Sequence, residues 1–136
     1  MLPYILLAED DPDDRSSFVT DFERHIVFAA VETVGDGQQL IDFLSRCRWD
    51  RLPSMILIDY KIPCLNAPEI LRQLSADPRY SNIPKYVWSA ALGMEEIDQC
   101  KQLGASTYFE KPSGPREMEE IVHQLGELLN AELSVD

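Results

Sequence analysis

Short apolar runs alternate five times along this chain with segments whose apolar residues recur at helical spacing. An apolar run with no polar alternation marks a strand buried on both faces, which calls for helices above and below it. Strand–helix–strand units of this kind build a parallel sheet with right-handed crossovers. The runs are residues 3–8 (PYILLA), 27–34 (VFAAVETV), 55–58 (MILI), 85–90 (KYVWSA) and 106–110 (STYFE). Asp11 and Pro12 form a helix start, as an N-cap and a proline in the first turn, and Phe18, Val19 and Phe22 give that helix its apolar side. The Gly35-Asp36-Gly37 turn leads into a second helix marked by Leu40, Ile41, Phe43 and Leu44. Asn66 caps a third helix running to Leu74, a fourth covers about 94–103 and closes at Gly104, and a last one runs from about 115 to 131. The expectation is an α/β fold: one domain over residues 1–136, a doubly wound five-stranded sheet with helices on both faces, and a short tail at 132–136.

Charge and cysteine usage narrow the function. Twenty-four acidic residues against twelve basic ones leave a net charge of -12, a surface that repels nucleic acid. No apolar run is long enough to span a bilayer, and the opening MLPYILLAEDD lacks a basic leader. Cys47, Cys64 and Cys100 are odd in number and show no CxxC spacing, so a reduced, cytoplasmic chain is expected.

Chemistry gathers at the strand ends. In a parallel sheet of this kind all C-terminal strand ends share one edge, where ligands bind. The first strand ends in Glu9-Asp10, the third in Asp59 and the fourth in Ser89-Ala90, while the fifth is followed by Lys111-Pro112. Three carboxylates brought together call for a cation, and an oxygen-only set suits Mg²⁺ rather than zinc. An ionised aspartate can attack phosphorus directly, leaving the protein to position the donor and neutralise charge on the transferring oxygens. Lys111, the metal and the Ser89 hydroxyl are groups of the right kind.

ILLAEDDPDD (5–14), MILIDYKIP (55–63), VWSAA (87–91) and TYFEKP (107–112) together resemble the motifs of response-regulator receiver domains, in matching order and spacing to about residue 131. The likeness is to the stand-alone, chemotaxis-receiver type, since too little chain follows the last helix for an output domain. It implies a flavodoxin-like sheet in the order 2-1-3-4-5, phosphorylated at Asp59. It further implies that Glu9, Asp10, Asp59 and the backbone carbonyl of Lys61 hold Mg²⁺, that Ser89 and Lys111 contact the phosphoryl oxygens, and that Tyr108 reorients on activation. By the same likeness, Lys61 and Ala91 flank the attacking water and tune phosphoryl lifetime, and the Lys111–Pro112 peptide is cis. The implied partners are a histidine kinase or histidine phosphotransferase and a target protein or second copy on the helix 4–strand 5–helix 5 face. Such a protein is no turnover enzyme: it catalyses only its own phosphorylation and dephosphorylation.

Other readings compete at several positions. Asp11, Asp13 and Asp14 are explained by capping and the helix dipole rather than by metal binding. His25 and His123 read as surface residues without a metal partner, and Cys64 as an inert filler. The loop Pro63-Cys64-Leu65-Asn66-Ala67-Pro68 lacks the glycines usual in the family, so it is expected to lose access to positive φ and to stiffen. A pseudo-receiver scaffold working without phosphorylation is the alternative function, with Lys61 as its support. Lys61 is also expected to fold over the acids and compete with Mg²⁺. A phosphohydrolase is disfavoured, because a second acid would be needed where Lys61 stands.

Overall fold

A computed structural model describes residues 2–134. The elements in chain order are β1 (Tyr4–Ala8), α1 (Pro12–His25), β2 (Ala30–Val34), α2 (Gly37–Arg46), β3 (Met55–Asp59), α3 (Ala67–Ala76), β4 (Lys85–Ser89), α4 (Met94–Gln102), β5 (Thr107–Glu110) and α5 (Pro115–Leu133). A single 3₁₀ turn, Trp49–Arg51, lies between α2 and β3. The strands form one parallel sheet in the order β2-β1-β3-β4-β5.

The pleat sorts each strand's side chains between two cores. Leu6 and Ala8 of β1, with Ile56 and Ile58 of β3, face Leu40 and Leu44 of α2, Ile70, Leu71 and Leu74 of α3, and Cys100 of α4. Ile5, Leu7, Met55 and Leu57 point the other way, against Phe18 and Phe22 of α1 and Val122, Leu125 and Leu129 of α5. Every residue of β1, β3 and β4 is buried, which is why those runs show no polar alternation.

Helix starts are set by side-chain caps. Asp11 accepts from the Asp13 and Asp14 amides, Asp36 from Gln39 and Asn66 from Glu69. A Cβ built on Gly126 would stand 2.5 Å from Ile26 Cδ1, so this glycine lets α5 lie close against the end of α1.

The structure moves some boundaries. β2 starts at Ala30 rather than 27, because ladder pairing begins where the Ala30 amide reaches the Pro3 carbonyl, and Val27 is exposed. α5 continues through Leu133, so the start of the expected tail is helical, and its last two residues lie outside the described ones. Lys85 opens β4 fully buried, its ammonium donating to the carbonyls of Tyr80 and Ile83 at 2.8 Å and of Ser81 at 3.3 Å. That ammonium holds the turn between α3 and β4 against the sheet, and burial pushes its pKa down.

Candidate functional site

Glu9, Asp10 and Asp59 meet at the C-terminal edge of the sheet. β1 and β3 are hydrogen-bonded neighbours with Ala8 beside Ile58, so the acids following Ala8 stand next to Asp59. Their carboxylate oxygens lie within 4.8 Å of one another, with Glu9 and Asp59 buried and Asp10 exposed. The ammonium of Lys111 enters from beyond β5. It lies 2.9 Å from Glu9 Oε1, 2.9 Å from Asp14 Oδ2 and 3.3 Å from Asp59 Oδ2.

The two ends of Glu9 differ. Its Oε2 accepts the Asp11 amide at 3.0 Å, whereas Oε1 is buried, in charge contact with Lys111, and without an aligned hydrogen-bond donor. Burial pushes the Glu9 carboxyl up to about 7, against the lowering pull of Lys111 and the Asp11 amide. Burial also works against the Lys111 charge, but its contacts with Glu9 and Asp14 and the charge on Asp59 outweigh that and hold it above the ordinary lysine range. Asp59 accepts the Lys61 amide on Oδ1 at 3.2 Å and Lys111 on Oδ2.

A divalent cation fits these residues. The donors are all carboxylate oxygens, and one of them, Glu9 Oε1, is buried with an unfilled acceptor position. Mg²⁺ would be held by Glu9, Asp10 and Asp59.

Ser89 closes β4 beside Asp59. Its carbonyl accepts the Lys111 amide at 2.8 Å and the Tyr108 hydroxyl at 3.2 Å. Tyr108 is therefore linked to the strand end that carries Ser89, and its ring packs partly buried against the α2–α4 core. Ala91 is exposed just past that end.

Four expectations change. The Lys111–Pro112 peptide is trans, since no cis bond occurs among the described residues; the fold places Lys111 among the acids without one. Cys64 takes φ 73 itself, so the glycine-poor loop keeps its left-handed residue and accepts the strain of a side chain there. The ammonium over the acids belongs to Lys111: Lys61 is exposed and, among the described residues, makes no ion pair with them. Asp14, assigned to the helix dipole, reaches Lys111 across the edge. Its signal was positional, because α1 begins directly after the acid pair and its first turn faces the same crevice.

Fold and site define a class: a parallel α/β domain that gathers acids, a hydroxyl and a lysine at the carboxyl edge of its sheet. The chain belongs to the response regulator receiver domain family, whose model matches residues 5–123, and is thus a receiver domain of two-component signalling. It is 25% identical over 125 residues to the probable methanogenesis regulatory protein FilR2 of Methanothrix harundinacea, covering 90% of this chain and 81% of that one. It is 29% identical over 122 residues to response regulator Rre1 of Synechocystis, covering 89% of this chain but only 50% of that protein. In three dimensions it resembles the phosphorylated cyanobacterial phytochrome response regulator RcpA, with a TM-score of 0.85 at 24% identity over 96% of each chain. The Mn²⁺-bound response regulator Rcp1 gives a TM-score of 0.83 at 19% identity, covering 98% and 97%.

Proposed function

We propose that this receiver accepts a phosphoryl group on Asp59 from a phosphohistidine of a histidine kinase or phosphotransferase, with Mg²⁺, and signals by binding a partner protein. The observation that carries the reading is the convergence of Lys111 on Glu9, Asp14 and Asp59 at the sheet edge. Asp59 supplies the nucleophilic oxygen. The new P–O bond forms as the P–N bond to the donor imidazole breaks, and that imidazole nitrogen takes up a proton from water. Lys111 is already within 3.3 Å of Asp59, so it can follow charge onto the phosphoryl oxygens without a large movement. Ser89 stands at the neighbouring strand end to donate to those oxygens. When bound, the metal would neutralise charge shared by the acids and the phosphoryl group.

Pull on Lys111 and Ser89 would act directly on Tyr108, whose hydroxyl holds the Ser89 carbonyl. Output is therefore assigned to the α4–β5–α5 face, by docking of a target or of a second copy. Ala91 and Lys61, each two residues past a strand end of the site, would set how long the acyl phosphate survives water. The described span would act as one domain.

Incubation with acetyl phosphate and Mg²⁺, followed by intact-mass measurement, tests the assignment. One phosphoryl mass should be added to the wild type and none to Asp59→Ala. A gain that persists in Asp59→Ala or survives chelation overturns it.

A further inference from the structure

We propose that His25, Glu119 and His123 form a second metal site, selective for zinc-like divalent ions and separate from the acid pocket. This does not depend on the phosphoryl chemistry. His25 is the last residue of α1, while Glu119 and His123 stand one turn apart on α5. Gly126 holds the seam tight by leaving room for Ile26, the residue after His25. The sequence shows two isolated surface histidines; the fold brings them together across that seam.

The geometry is close to that of a bound ion. Glu119 Oε1 lies 3.7 Å from His25 Nε2 and 3.6 Å from His123 Nε2, and the three ligand atoms are within 4.8 Å of one another. A four-coordinate zinc with ligands at about 2.0–2.1 Å spaces them roughly 3.4 Å apart. Closing the site on a metal therefore needs shifts of only a few tenths of an ångström in two of the three spacings. The histidine rings meet edge-on, with centroids 5.2 Å apart.

An independent contact prepares one ligand. His25 Nδ1 lies 3.0 Å from the Asp21 carbonyl oxygen, which can only accept, so a proton on Nδ1 donates there. In the neutral imidazole that tautomer puts the Nε2 lone pair on the side of Glu119. A metal-binding histidine is normally oriented in this way, by a backbone carbonyl on its other nitrogen. Two imidazoles and one carboxylate suit zinc, whereas the oxygen-only set at Glu9, Asp10 and Asp59 suits magnesium. The two ends of α1 would then hold different metals. Zinc would tie the C-terminal turn of α1 to α5, with water filling the fourth position.

The test is competition for Zn²⁺ against a chromogenic chelator in excess Mg²⁺, so that the acid pocket is filled. A Cys47→Ser/Cys64→Ser background removes the accessible thiols. One equivalent should bind, and His25→Gln, His123→Gln and Glu119→Gln should each weaken it by about tenfold or more. Asp10→Asn should bind zinc as the parent does. Zinc should raise the Tm of the parent but not of His25→Gln/His123→Gln, whose metal-free Tm should match the parent's. Unchanged affinity in both histidine variants overturns the site. So does zinc lost with Asp10→Asn, or binding at half an equivalent with dimer formation.

Discussion

The ammonium of Lys111 lies 5.3 Å from the centroid of the Trp88 ring, on the fully buried residue next to Ser89. The same ring takes Phe18 edge-on, with centroids 5.6 Å apart. Trp88 thus joins the cation of the site, through its aromatic face, to the α1 side of the core.

Any event that moves Lys111 should alter Trp88 emission. In a Trp49→Phe background, which removes the exposed second tryptophan, Mg²⁺ titration should shift intensity in a saturable way. Flat emission through a titration that calorimetry shows to be saturating would rule out this coupling.

Lys111 and the metal draw on the same negative charge. Lys111→Met should therefore bind Mg²⁺ several-fold more tightly, as expected for loss of a competing charge contact of about 1 kcal/mol in a partly screened setting. It should also phosphorylate poorly. Lys61→Ala should leave Mg²⁺ affinity as it is, because Lys61 is exposed and outside the ion-pair cluster. Calorimetry of both variants decides it: tighter binding in Lys61→Ala alone would return the competing role to Lys61.

Glu9 predicts a pH dependence of defined sign. Burial raises its folded pKa to about 7 from the ordinary glutamate value of 4.5, so the metal-free native state holds a proton that the unfolded chain has released. Its stabilising contribution is fully present below about 4.5 and is lost as pH rises to about 7. Mg²⁺ binding needs the ionised form, so affinity should climb over the same interval. Glu9→Gln should flatten both slopes. Equal slopes in wild type and variant, in metal-free denaturation and in titration, would remove Glu9 as the source.

Cys64 carries the loop's backbone strain at φ 73 and is exposed, so its side chain contributes little packing in return. Cys64→Val should destabilise by about 1–2 kcal/mol, since a β-branched residue fits that region worst. Cys64→Gly should be neutral or stabilising by up to about 1 kcal/mol, the relief of strain being partly offset by unfolded-state entropy. Urea denaturation of both checks the order, and a Gly variant less stable than the Val variant would contradict it.

Much of this architecture was legible in residue order. Uninterrupted apolar runs such as ILLA and MILI require burial on both faces, and the intervening amphipathic helices supply the cover. The caps at Asp11 and Asn66 were readable because an N-cap acts over three residues. Glu9, Asp10, Asp59, Ser89 and Lys111 were identifiable because a parallel sheet puts all its C-terminal strand ends on one edge. What only the tertiary structure decided depends on reach between segments distant in sequence. Periodicity places Asp14 on the first turn of a helix, but the distance from that turn to the end of β5 makes it a partner of Lys111. Two lysines lie near the acids, and their chain paths select Lys111 over Lys61. Lys85 reads as a strand's polar start, yet it is buried because the turn before β4 offers it three carbonyls. His25 and His123, ninety-eight residues apart in sequence, meet because Gly126 lets two helices approach. Local sequence dictates local hydrogen bonding and burial; which charges meet follows from packing the whole chain.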